Sequence, residues 1–197
     1  MQTNFEDLIS TFLEKGIGVS NNFLSTDLAL QLKLNLVALY NQKALKRAGI
    51  GNGYVSTKDK KIRRDKIFWL DKKDNNETEL LFFELIDSFV LYLNSTCFTG
   101  IKSYEFHYAL YEKGAFYKKH IDQFKSDNGR AFSMIMYLNE GWVKENGGEL
   151  KIHQKLEVQI ISPENQKCVF FKSNELEHEV LVTNVSRMSI AGWLKTF

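Results

Sequence analysis

Proline is almost absent from this sequence: Pro163 is the only one in 197 residues. A Pro-rich linker is therefore excluded, and with it a chain divided by one. Cysteine is nearly as scarce. Cys97 and Cys168 lie far apart and form no CxxC pair, which excludes a disulfide framework and fits buried thiols in a reducing cytoplasm. No apolar run is long enough to span a bilayer, because Glu84 and Asp87 break the stretch from Leu80 to Leu93. The first sixteen residues carry Glu6, Asp7 and Glu14 and lack a basic n-region, so they do not read as a secretory signal. Charge of one sign is lacking as well. A net charge of +2 demands neither a nucleic-acid nor a membrane partner. Internal repeats and low-complexity tracts are missing.

What is present fits a single domain over residues 1–197, long enough for a real hydrophobic core. Its first hundred residues read as mainly helical support. Phe5, Leu8, Ile9, Phe12 and Leu13 recur at helical spacing after Asn4, an expected N-cap. Ser25 is placed to cap a second helix running to about Ala44, with Leu28, Leu32, Leu36 and Leu39 on one stripe. A third helix is expected from Glu77 to about Asn94. Between them, Gly49 to Lys61 contains Gly51-Asn52-Gly53 and many charges, which predicts an exposed loop. Ile67 to Leu70 suits a short strand.

From Tyr104 the pattern changes to short β-type runs separated by turn signals. The runs are 104–111, 116–122, 131–138, 149–153, 157–160, 168–171, 179–182 and 186–193. Eight strands at this spacing predict a double-sheet jelly roll, a double-stranded β-helix, over residues 101–197. The N-terminal helices would pack on one sheet, giving an α+β fold with a β core.

His120 and Asp122 stand two apart on an expected strand, so both side chains point to one face. His178 opens a later strand. Two imidazoles and one carboxylate on one side of a metal form the facial triad of non-haem Fe(II) oxygenases. The His-x-Asp pair alone is common by chance, and a solvated pair at a strand end explains it equally well. Arg187, nine residues after His178, adds context. It shares a strand face with Ser189, Ala191 and Trp193. If that face looks inward, the guanidinium is a buried cation that needs an anion, and a carboxylate suits it through two parallel hydrogen bonds. The ordinary alternative is a surface arginine on an edge strand. His107 and His153 fit no such pattern and read as structural or surface residues.

The words from Tyr111 to Asp122, then Tyr137-Leu138-Asn139, Gly147-Gly148-Glu149-Leu150, His178-Glu179-Val180 and Arg187 to Trp193 resemble the 2-oxoglutarate/Fe(II) oxygenase superfamily. The likeness is to its prolyl-4-hydroxylase-like branch, to oxygen-sensing prolyl hydroxylases and their bacterial relatives. It covers the second half of the chain. Upstream, Ile62 to Trp69 is similar to the segment before the mobile substrate loop of these enzymes, which would make Gly49–Lys61 that loop and set Arg63 and Asp65 at the rim of the site. A solvated charge cluster is the alternative there.

The resemblance implies Fe(II) held by His120, Asp122 and His178, with 2-oxoglutarate as cosubstrate, O2 as oxidant and ascorbate as a stimulant. It implies that Arg187 and Tyr137 hold the distal carboxylate of 2-oxoglutarate, that Tyr111 lies near its chelating end, and that Trp193 walls the pocket. The segment from Tyr111 to His120 is one residue shorter than in the animal enzymes, which leaves Tyr117 as an alternative to Tyr111. Ala191 stands where some relatives carry a threonine. The implied reaction is hydroxylation of a prolyl residue in a protein or peptide, a translation protein being one target. A free amino acid or small metabolite on the same scaffold, or a cupin-like metal-binding protein without oxygenase chemistry, are the alternatives.

Overall fold

The computed structural model describes residues 2–49, 61–123 and 129–197. Residues 50–60 of the expected loop, and Asn128 of the expected Asn-Gly turn, lie outside them. Among the described residues there are three α-helices: α1 (Gln2–Lys15), α2 (Thr26–Asn41) and α3 (Glu77–Thr96). Helix α1 starts upstream of Asn4, so that residue is not its cap. Ser25 does cap α2, its hydroxyl accepting from the Leu28 N–H at 3.2 Å, and Asn76 caps α3 by accepting from Glu79. No helix among the described residues is long and apolar enough to cross a membrane.

The strands are β1 (Ile17–Ser20), β2 (Lys46–Arg47), β3 (Lys66–Trp69), β4 (Ser103–Tyr111), β5 (Tyr117–His120), β6 (Arg130–Tyr137), β7 (Leu150–His153), β8 (Val158–Ile161), β9 (Cys168–Lys172), β10 (Glu177–Val180) and β11 (Arg187–Lys195). They form two antiparallel sheets. The major one has the order β1-β9-β6-β11-β4-β3-β2 and the minor one β5-β10-β7-β8. The expected jelly roll is present, extended by β1 and β2, which the sequence did not announce.

Alternation along the central strands divides the hydrophobic side chains into two cores. Phe106, Tyr108, Leu110, Met134, Met136, Phe170, Ile190 and Leu194 point out of the major sheet and pack under Leu8, Leu32, Leu36, Phe82, Ile86 and Phe89 of the helices. Their neighbours in sequence point the other way. Ala109, Tyr111, Ile135, Tyr137, Val169 and Phe171 meet Leu150, Ile152 and Val180 of the minor sheet. The space between the sheets is where the sequence-predicted ligands lie. Cys168 is buried but Cys97, at the end of α3, is exposed, so only one of the two thiols is a core residue.

Candidate metal and cosubstrate site

The ligand atoms offered by His120, Asp122 and His178 all lie within 4.8 Å of one another. His120 closes β5 and pairs in register with His178 on β10. Asp122 falls two residues past the end of β5. Its position is set by side-chain contacts as well as by strand alternation. Ser133 Oγ donates to Asp122 Oδ2 at 2.7 Å, and the Ser173 hydroxyl stands 2.9 Å from that of Ser133. Arg130 Nη1 donates to the Asp122 carbonyl at 3.3 Å.

Both imidazoles are turned by their far nitrogen. His120 Nδ1 lies 2.8 Å from the Lys118 carbonyl and His178 Nδ1 lies 3.2 Å from that of Leu176. A carbonyl only accepts, so each Nδ1 carries a proton, which leaves Nε2 as the nitrogen whose lone pair a metal would take. Those Nε2 atoms converge on Asp122, at 3.4 Å from Oδ1 for His120 and 3.5 Å from Oδ2 for His178. Burial lowers the His178 pKa to about 4, against the pull of Asp122. Burial works against ionisation of Asp122, yet His178, His120 and Ser133 together hold it well below the usual carboxylate range. A neutral imidazole and an ionised carboxylate are the protonation states that bind a divalent cation. Backbone and hydroxyl partners of this kind fix ligand orientation in metal sites.

Tyr117 stacks on His120 with ring centroids 3.6 Å apart, and the Arg63 guanidinium covers the other side of Tyr117 at 4.1 Å. Arg63 is itself forked onto buried Asp65, through Nε to Oδ1 at 2.7 Å and Nη2 to Oδ2 at 2.5 Å. The rim pair expected from the sequence is thus an ion pair that braces the aromatic wall beside a ligand.

Further along the same chamber lies Arg187, 1% exposed. Its Nε donates to the Gly148 carbonyl at 2.8 Å, and the rings of Tyr111 and Tyr137 flank it at 4.9 and 5.0 Å. Gly148 sits at φ +69°, and a Cβ there would come within 3.0 Å of Arg187 Cδ and of Thr183. The glycine therefore makes room for the guanidinium. Arg187 Nη2 and Tyr137 Oη are both buried without a hydrogen-bond partner. A buried cation and hydroxyl left open side by side fit an incoming carboxylate. The residues present thus suit both a divalent metal and an anionic ligand reaching past it.

Of the residues expected from sequence, the structure brings together His120, Asp122, His178, Tyr117, Tyr111, Tyr137, Arg187 and Trp193. Tyr111 pairs in register with Arg187 while Tyr117 stacks on His120, so both tyrosines stand in the chamber. Sequence reasoning missed Ser133, Arg130 and His107. His107 is no surface residue: it is 4% exposed and lies between Trp69 and Trp193. The available signal was alternation, since Phe106, Tyr108 and Leu110 claim the helix-side face of β4 and leave His107 to the inner one.

A jelly roll with this triad and a buried arginine between its sheets is the arrangement of the metal-dependent oxygenases of the double-stranded β-helix fold. Residues 106–195 match the model of the 2OG-Fe(II) oxygenase superfamily, and nearly the whole chain is similar to prolyl hydroxylases. Human "Egl nine homolog 1" is 28% identical over an alignment of 200 positions that covers 95% of this chain and 46% of that protein. The chain spans about half the length of these curated relatives, 46% of the human protein and 57% of its rat counterpart. A Pseudomonas putida prolyl-4-hydroxylase superposes with a TM-score of 0.88 at 29% identity, over 98% of this chain and 99% of the other. The fold is also that of a Trichoplax adhaerens prolyl hydroxylase in complex with a hypoxia inducible factor peptide fragment, at TM-score 0.88 and 23% identity over 99% and 91% of the two chains.

Proposed function

We propose that this chain is one Fe(II)/2-oxoglutarate-dependent dioxygenase domain that hydroxylates an unactivated C–H bond of a prolyl residue in a protein or peptide, releasing succinate and CO2. The observation that carries the reading is the pairing of two features in one chamber. Three metal-ligating atoms converge at one end, and Arg187 Nη2 with Tyr137 Oη stand open at the other. A cupin-like metal protein has no use for the second feature. The likeness to the Pseudomonas putida prolyl-4-hydroxylase, which extends over almost the whole of both chains, favours a prolyl substrate over a free amino acid. The resemblance of the chain to bacterial prolyl hydroxylases keeps a translation protein as one target, in a cytoplasmic setting that free Cys97 and Cys168 fit.

In this reading His120, Asp122 and His178 hold Fe(II), which, together with 2-oxoglutarate and O2, supplies the oxidising chemistry. The protein's part is positioning and exclusion of water. The two backbone carbonyls hold the imidazoles in their ligating tautomer, and Ser133 holds the carboxylate. Arg187 forks onto the distal carboxylate of the cosubstrate and Tyr137 donates to it, which restricts the bound molecule to one geometry. Tyr111 and Trp193 wall the chamber. Arg63 and Asp65 keep Tyr117 against His120 at the rim of the site.

The test uses the Fe(II)-loaded protein with 2-oxoglutarate, ascorbate and an array of proline-containing peptides. Oxygen-dependent succinate, with the mass gain of one oxygen atom on a peptide, is expected. Metal-loaded protein that fails to bind 2-oxoglutarate would sink the oxygenase assignment. Product on free amino acids and on no peptide would sink the peptide assignment.

A further inference from the structure

His107 is a buried imidazole that the chemistry above does not use. On the inner face of the major sheet one cross-strand row reads Ile135, Ala191, His107, Trp69. The adjacent row reads Phe171, Ser133, Trp193, Glu105, and it includes the serine that holds Asp122. His107 therefore stands one row and two strands from the metal-site serine, with Ala191 and Trp193 on the strand between.

Three rings close on one another here. His107 lies 4.8 Å from Trp69 and 5.6 Å from Trp193, centroid to centroid. Trp193 is fixed from behind by the Arg130 guanidinium, 3.5 Å from its ring. Arg130 is fixed in turn by Glu105 Oε1, to which Nε and Nη2 donate at 2.9 and 2.8 Å. Trp69 is 46% exposed, so the box opens to the surface there. The two inner rings each leave a polar atom buried without a partner, Nδ1 of His107 and Nε1 of Trp193. A buried polar atom left unpaired is costly, and phenylalanine would fill the same space without the cost.

The two open atoms differ in kind. An indole N–H only donates. Burial pushes His107 down to about 4, so its imidazole is neutral near pH 7 and can accept at Nδ1. A ligand that satisfies both carries a neutral N–H and a neutral C=O close together, as a secondary amide does. A free amino acid would bring an ammonium or a carboxylate into a box with no matching charge on either open atom. The cosubstrate's own polar needs are met four to six residues before Trp193 on β11, by Ser189's partner Tyr137 and by Arg187.

We propose that His107 and Trp193 form a substrate subsite that binds the peptide backbone beside the oxidised residue, Nδ1 of His107 accepting an amide N–H and Nε1 of Trp193 donating to a carbonyl oxygen. The assignment rests on the oxygenase reading, and 2-oxoglutarate binding to the metal-loaded wild type is measured first to keep the two apart. Loss there overturns the oxygenase reading, and this one with it. The probe is then the peptide of the array that wild type hydroxylates best. His107→Phe should raise its KM on the order of tenfold while still binding 2-oxoglutarate. His107→Asn, whose side chain offers an acceptor near the Nδ1 position, should recover most of that loss. N-methylation of the flanking amide should cost wild type a similar factor and cost His107→Phe nothing more. An unchanged KM in His107→Phe, or an N-methyl penalty that persists in it, overturns the subsite. So does a wild type that hydroxylates free amino acids and no peptide.

Discussion

Removing one oxygen atom, in Tyr137→Phe, should strengthen the ligand-free protein and weaken its hold on 2-oxoglutarate. Tyr137 is fully buried on β6, paired with Ser189, and its hydroxyl has no hydrogen-bond partner. Burial pushes its pKa up to about 12, with Arg187 opposing, so the group is a neutral donor at any working pH. An unpaired buried hydroxyl costs roughly 1–3 kcal/mol, and phenylalanine fills the same volume without it. A gain of about 1 kcal/mol raises Tm by about 2–4 °C in a chain of this size. With 2-oxoglutarate bound, the hydroxyl would donate to a carboxylate, an interaction worth about 1.5–3 kcal/mol. Its loss weakens binding by about 10- to 150-fold. Thermal unfolding of the metal-loaded protein with and without 2-oxoglutarate reads both effects, because the ligand-induced rise in Tm shrinks as the ligand-free Tm climbs. A variant less stable than wild type that binds 2-oxoglutarate equally well would show the hydroxyl to be an ordinary core group, and the carboxylate pocket would be wrong.

Four further perturbations probe other parts of the chamber. Ser133→Ala removes the 2.7 Å bond to Asp122 and should lower metal affinity by about 10–100-fold, measured by metal titration. Gly148→Ala places a methyl 3.0 Å from Arg187 Cδ at φ +69°; it should cost about 1–3 kcal/mol in denaturant unfolding and also weaken 2-oxoglutarate binding. Asp65→Asn leaves the largely buried Arg63 guanidinium without its counter-charge and should cost about 3–5 kcal/mol, seen as a lower denaturant midpoint. His107 carries a sign in pH. Its folded pKa is about 4 against an ordinary value of 6.5, so above pH 6.5 it has no effect on stability. As pH falls from 6.5 to 4 the unfolded chain takes up a proton that the fold refuses, and stability drops by up to ~3 kcal/mol. His107→Phe should lose that part of the acid slope; identical slopes in the two proteins would mean His107 is already protonated in the fold.

The helices were legible because their apolar stripes are local, and Ser25 caps α2 where the chain must satisfy free N–H groups; the caps were legible less evenly, since Asn4 lies inside α1 and Asn76, which caps α3, was not read. The β runs from 104 onward were legible because each is bounded by turn residues. Strands β1 and β2 were not. Ile17 to Ser20 is four residues long, and its strand partner among the described residues is β9, some 150 positions away, so nothing in its neighbourhood marks it. The triad could be read because two of its members are two apart, although the carboxylate sits beyond the strand and depends on Ser133, which no local pattern connects to it. His107 shows the same limit more sharply. Its role depends on Trp193, 86 positions later, and on register, and only the pairing of β4 with β11 brings them side by side.

That pairing also explains how a chain of this length tolerates so many polar groups inside. Arg187, Ser189 and Trp193 stand on one face of β11, and Met188, Ile190 and Leu194 on the other. The second face buries its side chains under three helices, and that burial supplies the main stabilisation of the sheet. The first face is thereby free to carry groups that a core would reject, held by a strand with hydrogen-bonded neighbours on both sides. A cation, a hydroxyl, an imidazole and an indole with open valences are tolerable there because the backbone beneath them cannot move to hide them. On this view a substitution on the buried face of α3, such as Phe89→Ala, should loosen the chamber without touching it, whereas a substitution within the chamber should leave the helices folded. The site is rigid because its polar face is the reverse side of the larger core.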